Sequence, residues 1–419
     1  MFIFKKNKFL LSNQTYSLVF FDQIIVSGSN FLISILLLRF LGVENFGIFS
    51  FLWLLLLFVN SVQISYIISP LLTNAPKQKT INLNFFYGNT FIQQSFFTIL
   101  VFFLSFFFLE FFGHLLKDYK IQQFSITFSF TLLFSQFYQF FRRICFSKKL
   151  YLKTIISDFL VYLIIIFSLI YFYLINELNL IKIFWIFSIS FFTGSILNFS
   201  LVFSFRYNLN KLFNFFRENW IISKWLVYTS ILQWFSGNLW IVNTGIILGP
   251  YILGIVRACQ TILNIANLIF QSLENIIPAL TSKRFVSQGK NYMDNFLNKI
   301  LKKGFLFTIG LSLIIVIFAK PMLNLFYGNE TANYSELLML MSFLLPLHFL
   351  QYPTSYGLRT LGKTKPIFFS YLITSVIAVL ISIHVITYLK IYGFIFGLYF
   401  SQIIITSYLY ISYKRYINN

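Results

Sequence analysis

The chain has 419 residues, of which 58% are hydrophobic, 21% aromatic and only 10% charged, with a mean hydropathy of +0.78. A soluble domain averages about 25% charged residues and has no single core able to hide this much apolar surface, so a water-soluble globular protein is excluded. The formal charge of +21 does not point to nucleic acid, because the basic residues fill the gaps between apolar runs and form no continuous stripe.

At the N-terminus, Lys5, Lys6 and Lys8 precede an apolar run in the manner of a secretory leader. No small-residue cleavage site follows and the apolar pattern continues, so the segment is read as mature protein. A spanning helix needs about 20 mostly apolar residues. Apolar runs between charged or Pro/Gly breaks predict helices at 17–40, 45–70, 85–112, 121–144, 154–175 and 180–205. Six more follow at 221–248, 251–279, 301–326, 333–357, 366–389 and 392–413. Only Gly249 and Pro250 separate the seventh from the eighth, where a missing N–H and a flexible backbone interrupt the helix. Cys145 and Cys259 lie in or beside apolar segments and are expected to act as small hydrophobes.

Basic residues give the orientation. With a cytoplasmic N-terminus, 25 of the 32 Lys and Arg fall in inside segments and six outside, with Arg257 the remaining one. One miscounted span would invert every later loop, so the alternation supports about twelve crossings with both ends cytoplasmic. The longest polar stretches, 206–224 and 281–303, are basic and inside, as expected of topology determinants lying on anionic membrane lipid.

An internal repeat is legible at half length. Leu41-Gly42-Val43-Glu44-Asn45-Phe46-Gly47-Ile48 returns 207 positions later as Leu248-Gly249-Pro250-Tyr251-Ile252-Leu253-Gly254-Ile255. Pro70-Leu71-Leu72-Thr73 returns as Pro278-Ala279-Leu280-Thr281, and Ser27-Gly28 as Ser236-Gly237. Both prolines are expected to end their helix at the cytoplasmic face. The expected fold is all-α and polytopic, with two parallel-repeat six-helix lobes forming a V-shaped cleft. The corresponding domains are 1–206 (helices 1–6), a cytoplasmic linker at 207–224, and 225–419 (helices 7–12).

Polar residues inside spans mark the expected cleft, since they are costly against lipid. Arg257, Gln260, Asn264, Asn267, Gln271 and Glu274 recur every three or four residues and share one helical face over roughly 25 Å. Asn30 stands in a milder stripe on the first helix with Gln23, Ser27 and Ser34, between Asp22 and Arg39. Asn238 and Asn243 accompany Gln233, Gly237 and Thr244 on the seventh. The substrate-binding candidates are therefore Arg257, Gln260, Asn264, Asn267, Gln271, Asn30, Asn238 and Arg39. Arg257 is the candidate for a phosphate, because guanidinium stays charged and forks onto phosphate oxygens; a purely packing contact is the alternative. Asp22 and Glu274 are the candidates for a coupling proton or sodium ion. His348 and His384 read as packing residues, and no ligand spacing implies a metal or cofactor.

The run Arg39-Phe40-Leu41-Gly42-x3-Phe46-Gly47 resembles the polysaccharide-transport branch of the multidrug/oligosaccharidyl-lipid/polysaccharide flippase superfamily, closest to Wzx-type O-antigen or capsule flippases. The resemblance implies a non-enzymatic protein of the bacterial plasma (inner) membrane. It implies translocation of undecaprenyl-diphosphate-linked oligosaccharide by alternating access, beside other polysaccharide-assembly membrane proteins. A cation-coupled multidrug exporter of the same fold is the main alternative. An integral-membrane polymerase or glycosyltransferase fits less well, since the short outer segments carry no paired acid/base cluster.

Overall fold

Long runs of Phe, Ile and Leu, which satisfy every backbone hydrogen bond within one segment, fold here as helices throughout the described residues. The structure, a computed structural model, describes residues 2–77, 80–207 and 212–418, without the side chains of 2–17, 77, 80–82, 117, 267–269, 271–276 and 279. The helices are α1 (Phe2–Gln63), α2 (Ser69–Asn74), α3 (Thr80–Phe112), α4 (Ser125–Ser147), α5 (Tyr151–Leu174) and α6 (Leu180–Phe199). They continue with α7 (Leu212–Tyr327), α8 (Asn329–Ala332), α9 (Ser335–Ser342), α10 (Leu344–Thr360) and α11 (Lys365–Asn418).

Eight helices among the described residues are long and apolar enough to cross a membrane. Four are far longer than one crossing needs, among them Leu280–Tyr327 with 48 residues and a break at Gly289. The other three, Leu18–Asn74, Leu212–Ala266 and Lys365–Asn418, have 57, 55 and 54 residues, roughly 80–85 Å if straight, against a hydrocarbon thickness of about 30 Å. Each contains a break in its helical backbone: Gly42 in α1, Gly249 in α7 and Lys390 in α11. All three breaks fall at junctions expected from the sequence. Helix α4 is absent from the eight, because Thr127, Ser129, Thr131, Ser135 and Gln136 take up its buried face.

The two repeated junctions share one backbone geometry. Gly42 has φ 78° and ψ 168°, and Gly249 has φ 86° and ψ 171°, a region that only glycine occupies without strain. The chain forms two compact units, residues 1–41 with 55–230, and residues 42–54 with 231–419. In the second unit the repeated segments meet each other. A Cβ on Gly47 would overlap the carbonyl of Pro250, and a Cβ on Gly254 would overlap the carbonyl of Val43. Since 47 pairs with 254 and 43 with 250 at the same offset of 207, the contact is reciprocal, as at a local two-fold axis. Small residues four apart allow this backbone approach, which is what helices in lipid use in place of a hydrophobic core.

The repeated prolines behave differently from expectation. Pro70 does not end its helix: the chain widens into a π-helix at Ile64–Ile68 and runs on through α2. The Ser69 N–H bonds back to the Ile64 carbonyl, one residue further than in an α-helix, so the missing N–H of Pro70 is absorbed by a local change of pitch. Pro278 lies inside α7, which continues to a break at Gly289.

Within each unit, hydroxyls and amides stitch helices together. In the first, Thr131 bonds the Phe184 carbonyl and the Ser188 hydroxyl, both at 2.9 Å. In the second, Ser236 meets Thr374 at 2.7 Å and Asn243 donates to Ser382 at 2.6 Å. Lipid supplies the remaining contacts: Phe103, Phe107 and Phe111 on α3 are 51%, 50% and 63% exposed, tolerable in a hydrocarbon solvent and not in water.

Candidate functional site

The first unit buries a charge cluster built from three helices. Helix α4 presents Tyr138 and Arg142, and α5 presents Asp158 and Tyr162, each pair four residues apart and so on one face. Helix α1 brings Asp22 and Asn30. The Arg142 guanidinium bonds Asp158 Oδ2 through Nε and Asp22 Oδ2 through Nη2, each at 2.6 Å. The Tyr138 hydroxyl donates to Asp158 Oδ1 at 2.5 Å, and Asn30 donates to the Tyr162 hydroxyl at 3.2 Å. Two carboxylates face one guanidinium, with the Arg143 guanidinium close enough to act on both, and the buried Oδ1 of Asp22 has no hydrogen-bond partner among the described residues. A pair this deep is costly to desolvate and costlier to break, because a lone buried charge remains.

Of the polar face expected on α7, Arg257, Gln260 and Asn264 are among the described side chains. Arg257 is half-buried and its Nη1 donates to Gln260 Oε1 at 2.9 Å. It makes no ion pair with a carboxylate among the described residues, in contrast to Arg142. Val256, Ala258, Cys259 and Ile262 are buried, while Asn264 is exposed. Gln260 is half-buried like Arg257, and Ile265 is exposed beside Asn264. The side chains of Asn267, Gln271 and Glu274 lie outside the described residues.

The remaining candidates are dispersed. Arg39 is exposed near the end of the first segment of α1, where the adjacent Phe40 ring stacks on Tyr173 at 3.9 Å. Asn238 turns back to the Trp234 carbonyl of its own helix at 3.2 Å. Thr244 is buried and bonds the Trp240 carbonyl, so it serves packing and leaves the polar face expected for it. His348, expected in packing, is exposed on α10.

A family model described as MatE matches residues 226–384. No curated protein matches the sequence. Among solved structures, the chain is similar to an inward-facing multidrug resistance MATE family transporter of the MOP superfamily, with a TM-score of 0.75 at 10% identity over 94% of both chains. Its fold is the MOP fold. The MOP fold also relates it to the lipid II flippase MurJ in an inward closed conformation, with a TM-score of 0.70, 16% identity, and coverage of 96% of this chain and 87% of that one. A third similar structure is a MOP superfamily transporter from Pyrococcus furiosus Vc1, described as having a binding pocket of reverse polarity. Its TM-score is 0.61 at 10% identity over 97% of both chains. At such identities the likeness is one of fold.

Within the MOP fold, the Arg142 cluster contains residues that sequence reading passed over. Arg142 stood among the topology-setting charges, and Asp158, Tyr138 and Tyr162 were not singled out. A signal was available in Asp158, a lone carboxylate one turn and more inside an apolar helix.

Proposed function

We propose that the chain is a flippase that carries an anionic lipid-linked oligosaccharide, of the undecaprenyl-diphosphate type used for O-antigen or capsule units, across the bacterial plasma membrane. In this reading two six-helix lobes, twelve crossings in all, alternate access to a cleft, with both termini cytoplasmic. The breaks at Gly42, Gly249 and Lys390 support the count.

One observation carries the choice of substrate charge. Arg257 is a partly open guanidinium in a spanning helix without a carboxylate partner among the described residues, flanked by Gln260 and Asn264. Such a group favours a diphosphate and opposes a cationic drug. Asp22 and Asp158, the carboxylates a cationic drug would seek, are already engaged by Arg142. The Oδ1 of Asp22, without a hydrogen-bond partner among the described residues, is the feature that favours a cation-coupled exporter instead.

Reconstitution in proteoliposomes separates the two. With a fluorescent undecaprenyl-diphosphate oligosaccharide, Arg257→Ala is expected to slow flipping about 10- to 100-fold, the loss of one charge-assisted contact of about 1.5–3 kcal/mol. Arg257→Lys keeps the charge without the fork and falls between. Absence of flipping by the wild-type chain, with export of a lipophilic cation, would refute the proposal, and wild-type flipping in the Ala variant would remove Arg257 from the head-group site.

A further inference from the structure

The turn between α3 and α4 is wound as three short 3₁₀ helices, Gly113–Leu115, Lys117–Tyr119 and Ile121–Phe124. Tyr119, Ile121 and Phe124 anchor it, exposed by 2%, 1% and 1%. At Gly113 a Cβ would meet the Gln122 backbone nitrogen at 2.9 Å, so the two ends of the turn are packed against each other. His114, Lys120, Gln122 and Gln123 alternate with the anchors and are exposed. With Glu110 and Gly113 they line a cavity of about 700 Å³, within the size range of small-molecule clefts. Both oxygens of the Glu110 carboxylate accept hydrogen bonds from neutral donors, Oε1 from Gln122 at 3.1 Å and Oε2 from Ser125 at 2.9 Å. Those bonds fix the carboxylate without neutralising it. Glu110 makes no ion pair with His114 or Lys120 among the described residues, although all three line one cavity. Lys120 is held in a left-handed backbone, φ 45° and ψ 40°, which a residue with a side chain enters at a cost. A cavity holding separated charges of both signs is complementary to a zwitterion.

Position gives the source of that zwitterion. The apolar run Leu83–Leu115 is long enough to cross a membrane, and the cavity lies at its end. Phe111, Phe112 and Leu115 beside it are 63%, 55% and 66% exposed, as suits side chains in contact with lipid. The cavity therefore sits where acyl chains give way to head groups. We propose that it binds the head group of phosphatidylethanolamine, with the ammonium on Glu110 and the phosphate against Lys120, His114 and Gln123. The inference is independent of the flippase reading above. A primary ammonium has three N–H donors for the carboxylate, whereas the trimethylammonium of phosphatidylcholine has none. Phosphatidylglycerol has no cation to set against Glu110 and brings a negative charge beside it.

The test titrates the purified full chain in detergent with phosphatidylethanolamine, phosphatidylcholine and phosphatidylglycerol of matched acyl chains, and counts bound lipid by native mass spectrometry. Phosphatidylethanolamine is expected to fill a saturable site about tenfold more tightly than either of the others, the worth of one charge-assisted contact. Glu110→Gln should abolish its advantage over phosphatidylcholine while leaving phosphatidylcholine binding unchanged. Lys120→Gln removes a phosphate contact common to both zwitterionic lipids, so it should weaken the two alike and keep their ratio. Glu177→Gln, at an exposed carboxylate already paired with Lys182, should change nothing. Equal affinity for phosphatidylethanolamine and phosphatidylcholine in the wild type, or an undiminished preference in Glu110→Gln, overturns the site. The last arm is glycerophosphoethanolamine, the same head without tails. If it displaces the lipid at matching concentration, the cavity belongs to a soluble zwitterion and the lipid assignment falls.

Discussion

At the scale of single residues, two arginines in spanning helices have opposite surroundings. Arg142 is 8% exposed and ends on two carboxylates, with Tyr138 holding the second Asp158 oxygen. Replacing it with Gln leaves Asp22 and Asp158 facing each other without a counter-charge, and should cost about 3–5 kcal/mol. Thermal unfolding of the solubilised protein would register this as a lowered midpoint. Adding Asp158→Asn to that variant should recover part of the loss, because the two residues share one network and their effects do not add. An Arg142→Gln protein as stable as wild type would show that the cluster is not a structural lock. Among the described residues Arg257 has Gln260 as its side-chain hydrogen-bond partner, so its replacement should leave stability nearly unchanged while affecting transport.

At the scale of elements, the reciprocal crossing of the two repeated junctions decides what substitutions α1 and α7 accept. Gly47→Ala and Gly254→Ala each place a methyl group on a backbone carbonyl across the contact. Neither carbonyl can withdraw without moving its helix, so several kcal/mol of destabilisation is expected from each, measured as loss of folded protein on detergent titration. Gly42→Ala meets open space and suffers only the backbone strain of its φ, about 1–3 kcal/mol. An ordering with Gly42→Ala the most damaging would contradict the close approach. The polar face of α7 is tested at the same scale. A cysteine at Asn264, which is exposed, should react with a hydrophilic maleimide, while Cys259, which is buried, stays inert. Inertness at both positions would put Asn264 against lipid and remove the support for a wet face.

At the scale of the whole molecule, the distribution of basic residues predicts the orientation. A reporter fused after residue 150, between α4 and α5, should read as cytoplasmic, and an exported signal there would invert the map. Much of the architecture was legible before any coordinates. The helix breaks at Gly42, Gly249 and Lys390 were visible as short polar or Gly/Pro interruptions, and the offset of 207 pointed to the pair of junctions that share one backbone geometry. The spacing of Arg257, Gln260 and Asn264 along α7 was legible because helical periodicity is a local property. Neither the π-helix before Pro70 nor the pairing of Arg142 was legible in the same way, because each depends on how neighbours accommodate an unsatisfied group.

The sequence by itself determined the solvent of this protein, the all-helical class, the approximate segments and the pair of repeated junctions, since hydropathy, periodicity and repetition are all read along the chain. Only the tertiary structure decided which polar residues are neutralised. Asp22, Arg142 and Asp158 are separated by up to 136 positions and meet in one buried network, while Arg257, in the other unit, bonds the amide of Gln260. Coulombic partners are chosen by distance in space, and in a low dielectric that choice determines whether a charge stabilises the fold or stays available to a ligand.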